Sequence, residues 1–488
     1  MEKLLHKIYG TTPGEGVQPK EALAYGIAGF GQNLVCTIIG SYLTVFLTDA
    51  LLFGSIPEGG IFGAISGATA VAFLMLGTRI FDALNDPIMG SIVDRTRTKW
   101  GKCRPYLRWM AIPIAIITVL CFNPFLPSGK MSTFVIVSVI YVIWSVVYTV
   151  ADVPYWALST GMTNDTIVRG NLLTVTRLLC TLGAGLVTVI VPIITDYINK
   201  TYNDPEKLKW TYFICAVVCV VAAVPMFYYG FNNTRERYTT NDDPPSLGHN
   251  LKLLFKNKEL LLIVLSGVLG GARTVYTYTG GLYFAKYVLQ NEGLYSVITL
   301  LIVPGGLVAS LLVPWMSKKF TKKWAYIAVH AMGAVVTFAM YFIGYDAPWK
   351  LVVCAIGLVL LGIPQGVNNI ITYAMIGDTV EYLEWKTGER AEGICFAMQT
   401  LINKVGMAIG AFVGVMSYSW AGIDPTRPVT DAFTKANGPD ILWNVLILSC
   451  ALSMVGTIIP ILFYSITEKK QKQMVEEIAA RKAAEANK

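Results

Sequence analysis

Two carboxylates four residues apart inside an apolar stretch, Asp82 and Asp86, are the groups in this chain best placed to do chemistry. On a helix they share a face with Asn85, so three oxygen-bearing side chains line up within a turn. Pro87 follows directly and lacks a backbone N–H, which frees the carbonyl of Ala83 nearby. An ionised carboxylate at the centre of a bilayer costs roughly 2.5 to 3.5 kcal/mol, so such groups normally mark an ion or substrate path. The set reads in outline as an oxygen cage on such a path, suited to a hard cation. Because two neighbouring carboxylates repel, a proton is the alternative occupant. The plainer reading is that Arg79 or Arg177 neutralises the acids and ties helices together.

A second polar group lies in another apolar stretch, where Thr149, Asp152 and Trp156 recur at helical spacing beside Tyr148 and Tyr155. Aromatic rings stack on the apolar faces of sugar rings, while carboxylates and guanidinium forks take hydroxyls, so this face suits a sugar. A tryptophan anchoring a helix at the membrane interface is the competing reading. Arg177, Arg273, Thr400 and Lys404 stand at similar depth, and cations there need partners. Asp152 is an available partner for Arg177 or Lys404. Gln32 and Asn33, flanked by Gly26, Gly29, Gly31 and Gly40, serve either interhelical hydrogen bonds or substrate contact. Three scattered histidines and nine cysteines without a CxxC pair give no catalytic grouping, disulfide framework or zinc site, so an enzyme is not expected.

The elements that must carry these residues are transmembrane helices. Hydrophobic residues make up 54% of the chain and charged ones 14%, against roughly 25% charged in soluble proteins. Twelve apolar stretches are long enough to span ~30 Å of hydrocarbon. They divide into two groups of six, predicting an all-α membrane protein of two pseudo-symmetric six-helix bundles, residues 1–232 and 259–466. A polar connection at 233–258 separates them, and a charged tail at 467–488 reads as a solvated helix. Lys and Arg cluster in loops such as 95–108 and in the tail, which predicts both termini in the cytoplasm and no cleavable leader. Asp94, Arg95 and Arg97, with Asp378, Glu381 and Glu384, read as a charge network closing the inner gate.

Three stretches carry a resemblance to a known family: RIFDALNDPIMGSIVDRTRTKWGKCRP, YTVADVPYW with Arg177 downstream, and DTVEYLEWKTGERAEGICFAMQTLINK. Over nearly its whole length the chain resembles the glycoside-pentoside-hexuronide:cation symporters of the major facilitator superfamily. The resemblance implies a cation site at Asp82, Asn85, Asp86 and Thr149, with sodium on Asp82 and Asp86, and a sugar site at Asp152, Trp156, Arg177, Thr400 and Lys404. Gln32 and Asn33 stand where the family's melibiose permease has a Lys-Asp pair, and Asn369 where it has a tryptophan, so the site is more cationic than a galactoside site and permits a uronide. The expectation is a cell-membrane symporter, functional as a monomer, with a sugar and a sodium, lithium or proton as its partners. It needs neither a cofactor nor a nucleic acid. A lysolipid-carrying branch of the same superfamily and a sugar sensor that does not transport are the alternatives.

Overall fold

The structure, a computed structural model, describes residues 17–163, 166–238, 247–277, 279–389 and 392–486. Among them there is no β-strand, and eleven helices are long and apolar enough to cross a membrane, with Leu294–Ala309 a shorter apolar twelfth. In chain order the first six spans are α1 (Pro19–Ala50), α2 (Gly67–Arg95), α3 (Arg104–Cys121), α4 (Met131–Met162), α5 (Thr166–Tyr202) and α6 (Pro205–Asn233). A short α7 (Leu247–Lys256) breaks the polar connection expected at 233–258. Then come α8 (Lys258–Val288), α9 (294–320), α10 (322–343), α11 (Pro348–Thr387), α12 (Glu392–Ala421), α13 (Gly438–Leu462) and the tail helix α14 (Glu468–Ala486). Thr321, at φ 63°, interrupts the helical path between α9 and α10.

The helices fall into two compact units. The first comprises Met1–Pro244 with Gln290–Gly293 and Ile423–Ala432, and the second the remaining segments. In the first, α1 packs on α5 and α6, and its small residues explain how. A Cβ on Gly26 would sit 2.5 Å from Leu179 of α5, and one on Gly31 would sit 3.0 Å from Met226 of α6. Such stripes let membrane helices approach closely where lipid supplies no hydrophobic drive. Large apolar side chains such as Leu84, Leu178, Leu182 and Phe342 stay on the outside, as an acyl-chain solvent allows.

A strap after α6 ties the first unit together at one end. The carboxylate of Glu236 accepts the backbone N–H groups of Lys102 at 3.0 Å, Cys103 at 3.0 Å and Arg104 at 3.4 Å, at the start of α3 where a helix leaves its first N–H groups pointing outward. Gly101, at φ 105°, leaves the room this needs, since a Cβ there would meet Glu236 at 2.3 Å. Next to it, Arg237 pairs with Glu21 at 2.8 Å, and the backbone N–H groups of Arg237 and Tyr238 donate to the carbonyl of Gly161.

The tail is helical but not simply solvated. Met474 is buried in the core of the second unit. Gln471 donates to Glu381 at 2.9 Å, Trp385 donates to Glu477, and Arg481 donates to the carbonyl of Trp385 at 2.9 Å. One methionine and a few polar bonds thus dock an otherwise charged helix onto the end of α11.

Candidate functional site

The paired carboxylates sit on α2, which runs unbroken through Pro87. Asp82 is buried, and its Oδ1 accepts from Ser145 Oγ at 3.0 Å and Thr149 Oγ1 at 2.7 Å, both on α4. Arg79 Nη1 lies 3.8 Å from Asp82 Oδ2, a loose ion pair. The neutralising role weighed for Arg79 is therefore present in part, alongside an oxygen cluster of two hydroxyls and a carboxylate. Asn85 and Asp86 follow on α2, both half-buried.

Asp152 lies three residues beyond Thr149 on α4 and anchors the second group. Its Oδ1 accepts from Gln32 Nε2 of α1 and from Trp156 Nε1 at 3.1 Å. This contact across helices depends on a brace one turn away. Tyr25 and Tyr155 stack with centroids 4.7 Å apart, and each hydroxyl donates to the other's backbone carbonyl, at 2.8 and 3.0 Å. Gly29 makes the space, since a Cβ there would fall 2.3 Å from the Tyr155 hydroxyl. The brace fixes the α1–α4 register that brings Gln32 to Asp152. Asn33, one position on, turns away and donates to the Gly29 carbonyl of its own helix at 3.0 Å. Arg177 of α5 holds its guanidinium 5.1 Å from the Trp156 ring centroid, over one face of the plate, and is otherwise exposed. The first unit thus gathers two acceptors, an aromatic plate and an exposed guanidinium around one face of α4.

A family model described as MFS/sugar transport protein matches residues 24–468. The chain belongs to that family. Among relatives of this sugar-transport family, the glucuronide carrier protein homolog of Escherichia coli K12 is 28% identical over 461 residues, covering 94% of this chain and 95% of the relative. The isoprimeverose transporter of Lactiplantibacillus pentosus is 28% identical over 471 residues, covering 95% of this chain and 92% of its own. Among solved structures, the nucleoside transporter NupG aligns with TM-score 0.59 at 13% identity, over 91% of this chain and 99% of the other. A D-xylose-proton symporter aligns with TM-score 0.55 at 13% identity, over 89% of this chain and 96% of the other. These likenesses show the major facilitator fold, and the family is one of transporters rather than enzymes.

In the second unit the expected residues are spread over three helices. Arg273 lies where α8 tightens into a 3₁₀ segment, Gly271–Thr277, and its Nη1 donates to the Gly270 carbonyl at 2.8 Å. Lys404 is buried on α12, and Thr400 is exposed a turn before it. On α11, Asn369 is exposed while its neighbour Asn368 is buried, accepting from the Tyr326 hydroxyl at 3.0 Å and Thr372 Oγ1 at 3.3 Å. The acids expected at the gate meet other partners: Lys322 bonds both oxygens of Asp378, and Glu381 is bound by Gln471 of the tail helix. Glu384 is buried. Arg95 and Arg97 are exposed, Arg97 donating to the Thr96 carbonyl at 3.2 Å, and Asp94 lies outside the residues whose side chains are described.

Three functional candidates were not read from the sequence. Ser145 stands one turn before Thr149, so the same spacing that selected Thr149 and Asp152 also points to it. Asn368 and His330 are single polar residues in apolar helices, and nothing local separates them from ordinary interhelical hydrogen bonds.

Proposed function

We propose that this chain is a secondary symporter of the cell membrane that moves a glycoside, pentoside or hexuronide together with a monovalent cation by alternating access. The observation that carries the reading is that the Asp82 oxygen cluster and the Asp152–Gln32–Trp156 group share one helix, three residues apart at Thr149 and Asp152. A cation drawn to Asp82 competes with Thr149 for its oxygens, and any shift of α4 there is passed to Asp152 and Trp156 within one turn. Coupling then follows from a shared element and is reciprocal: the cation tightens sugar binding by the factor that sugar tightens cation binding. Relatives named for a glucuronide and for isoprimeverose support a sugar bearing a carboxylate or a pentose unit. Arg177, exposed beside the plate, is the fork that would take paired oxygens of such a sugar. Sodium is the cation favoured by an all-oxygen donor set, with Asp86 and Asn85 completing it. Lys and Arg clustering in alternate loops supports both termini in the cytoplasm.

The test is uptake of labelled glycosides, pentosides and glucuronides into membrane vesicles, with a lysolipid as control, under imposed sodium, lithium or proton gradients. Uptake of one sugar driven by one of these gradients is the expected result. Sugar uptake indifferent to all three would reduce the protein to a facilitator, and uptake of lysolipid alone would replace the substrate class.

A further inference from the structure

Arg108, on α3, is exposed, and its described contacts are the faces of two aromatic rings. Its Cζ stands 5.4 Å from the Trp100 centroid and 5.5 Å from the Phe231 centroid, and the two rings meet edge to face with centroids 5.6 Å apart. The guanidinium therefore sits across the corner between them. Lys99 Nζ lies 5.0 Å from the same indole, and Arg104 Cζ 5.1 Å from the same phenyl ring. Three cations thus share two rings. The corner is held in shape by its own loop: Thr98 Oγ1 accepts the Trp100 N–H at 3.1 Å and donates to the Gly101 carbonyl at 2.7 Å, while Phe231 is buried on α6.

Like charges gathered this closely repel one another, and the acids described at this end have other partners. Glu236 gives its carboxylate to three backbone amides, and Glu21 pairs with Arg237. Arg104 donates through Nη2 to the Phe231 carbonyl at 2.7 Å, while its Nε is buried without a partner. Ring faces attract a cation but carry no net charge. What would balance the corner is an anion with several acceptor oxygens, and a guanidinium fork beside an ammonium matches a phosphate.

Beyond Arg108 the same side of α3 is apolar. Ile112, Ile116 and Leu120 follow it at intervals of four residues and are 51%, 55% and 42% exposed, with Trp109 beside them at 45%. Residues four apart lie one above another on a helix, so the cation heads a continuous apolar ridge. From Arg108 to Leu120 the ridge runs about 18 Å at ~1.5 Å per residue, just over half of the ~30 Å of hydrocarbon. That is the depth of one leaflet. We propose that Lys99, Trp100, Arg108 and the α3 ridge form a binding site for an acidic phospholipid, its phosphodiester on Arg108 and Lys99 and an acyl chain along Ile112, Ile116 and Leu120. A free phosphate would use the cations and leave the ridge unused. A zwitterionic headgroup would add a further cation to three. The site lies wholly within the first unit and is independent of what the protein transports.

The test is native mass spectrometry of the full-length protein released from detergent micelles, with dioleoylphosphatidylglycerol, dioleoylphosphatidylcholine or sn-glycerol 3-phosphate as the probe. The wild type is expected to bind the phosphatidylglycerol about tenfold or more tightly than the phosphatidylcholine with the same chains, and the glycerol phosphate more weakly than the whole acidic lipid. Arg108→Gln should remove most of that preference. Lys99→Gln should reduce it about fivefold, the worth of one basic residue near an anionic headgroup. Arg108→Lys, which keeps the charge without the fork, should fall between the wild type and Arg108→Gln. Lys20→Gln removes an exposed cation at the start of α1, beside Glu21 and outside the corner, and should change the preference less than about twofold. Unchanged phosphatidylcholine binding is the sign of an intact fold, and if Arg108→Gln does not fold, Lys99→Gln on the exposed loop carries the comparison. Equal losses in Lys20→Gln and Arg108→Gln would mean diffuse surface charge and overturn the site, as would a wild type that prefers neither lipid. Glycerol phosphate bound as tightly as the lipid would overturn the lipid as occupant and leave an anion site.

Discussion

The two units of this transporter solve the problem of buried polarity in opposite ways. In the first, Ser145, Thr149 and a loosely paired Arg79 close on the buried Asp82, and Gln32 and Trp156 on the half-buried Asp152. In the second, Glu259 accepts from Ser465 at the start of α8, Asp378 and Glu381 are held by Lys322 and the tail helix towards the end of α11, where Glu384 is also buried, and Arg273, His330 and Lys404 lie within the spans. A repeated fold has therefore not repeated its charge. Negative charge next to donors that can be displaced suits an ion that comes and goes, whereas cationic donors suit the oxygens of a sugar. Under the proposed symport, this difference gives cation binding to the first unit alone and gives the second a part in recognising the sugar.

Asp82→Asn strikes that division hardest. Removing the carboxylate that Ser145, Thr149 and Arg79 converge on should abolish the dependence of sugar affinity on sodium, a coupling typically worth about 5- to 150-fold. The matching change in the second unit, Arg273→Gln, should leave sodium affinity within about twofold while sugar affinity falls about tenfold. Sodium titrations of both variants check this. A loss of sodium binding in Arg273→Gln would end the division of labour.

Arg177→Lys tests how the first unit meets the sugar. A lysine keeps the charge but loses the planar fork that pairs with two oxygens and lies flat on Trp156. Uptake should fall about 10- to 100-fold, the range for charge-assisted hydrogen bonds. Near-normal uptake would leave Arg177 as a charge partner only.

How much of this was legible in the sequence depends on the range of the interaction. Spacing along single helices placed Asp82 with Asp86 and Thr149 with Asp152 and Trp156, because helical periodicity is local and strict. The meeting of Asp82 with Thr149 came from the family resemblance, and the structure shows it at 2.7 Å. Which member of a polar pair faces its partner was not legible. Gln32 rather than Asn33 reaches Asp152 because the Tyr25–Tyr155 brace sets the rotation of α1, and Asn368 rather than Asn369 faces Tyr326 because of how α11 packs on α10. Neighbours on a helix point about 100° apart, so a small rotation exchanges them. The Glu236 strap was invisible for another reason: its value lies in backbone amides brought together by a turn at Gly101.

Trp156→Ala should have a smaller effect. The ring is the proposed sugar plate and also donates to Asp152, but no bond links it to Asp82. Sugar affinity should fall about 2- to 10-fold, the worth of an aromatic contact, with sodium affinity in the absence of sugar unchanged. Equal losses of both would show that the two groups on α4 act as one site, so the division would have to be redrawn within the first unit.

The smallest effect lies at the ends of the units, where the same contrast returns. The Glu236 strap gathers three backbone amides at the start of α3, whereas the tail helix is held between half-buried side chains. The hydrogen bond from the Trp385 indole, helped by Gln473 and by the charge of Arg481, holds the Glu477 carboxyl below the ordinary glutamate value of 4.5. A group whose pKa is lowered by docking supports the docked state above its undocked value and loses that support as pH falls through the docked one. The tail should therefore loosen on acidification below about pH 4.5, before the bundle itself responds. Amide exchange over residues 468–486, corrected for the intrinsic pH dependence, reads this directly. In the wild type, protection should drop across that range. In Glu477→Gln, protection should start lower and stay nearly flat, since the amide keeps an acceptor but has no proton to gain. Parallel curves in the two proteins would mean that Met474, and not the Trp385–Glu477 bond, sets the docking.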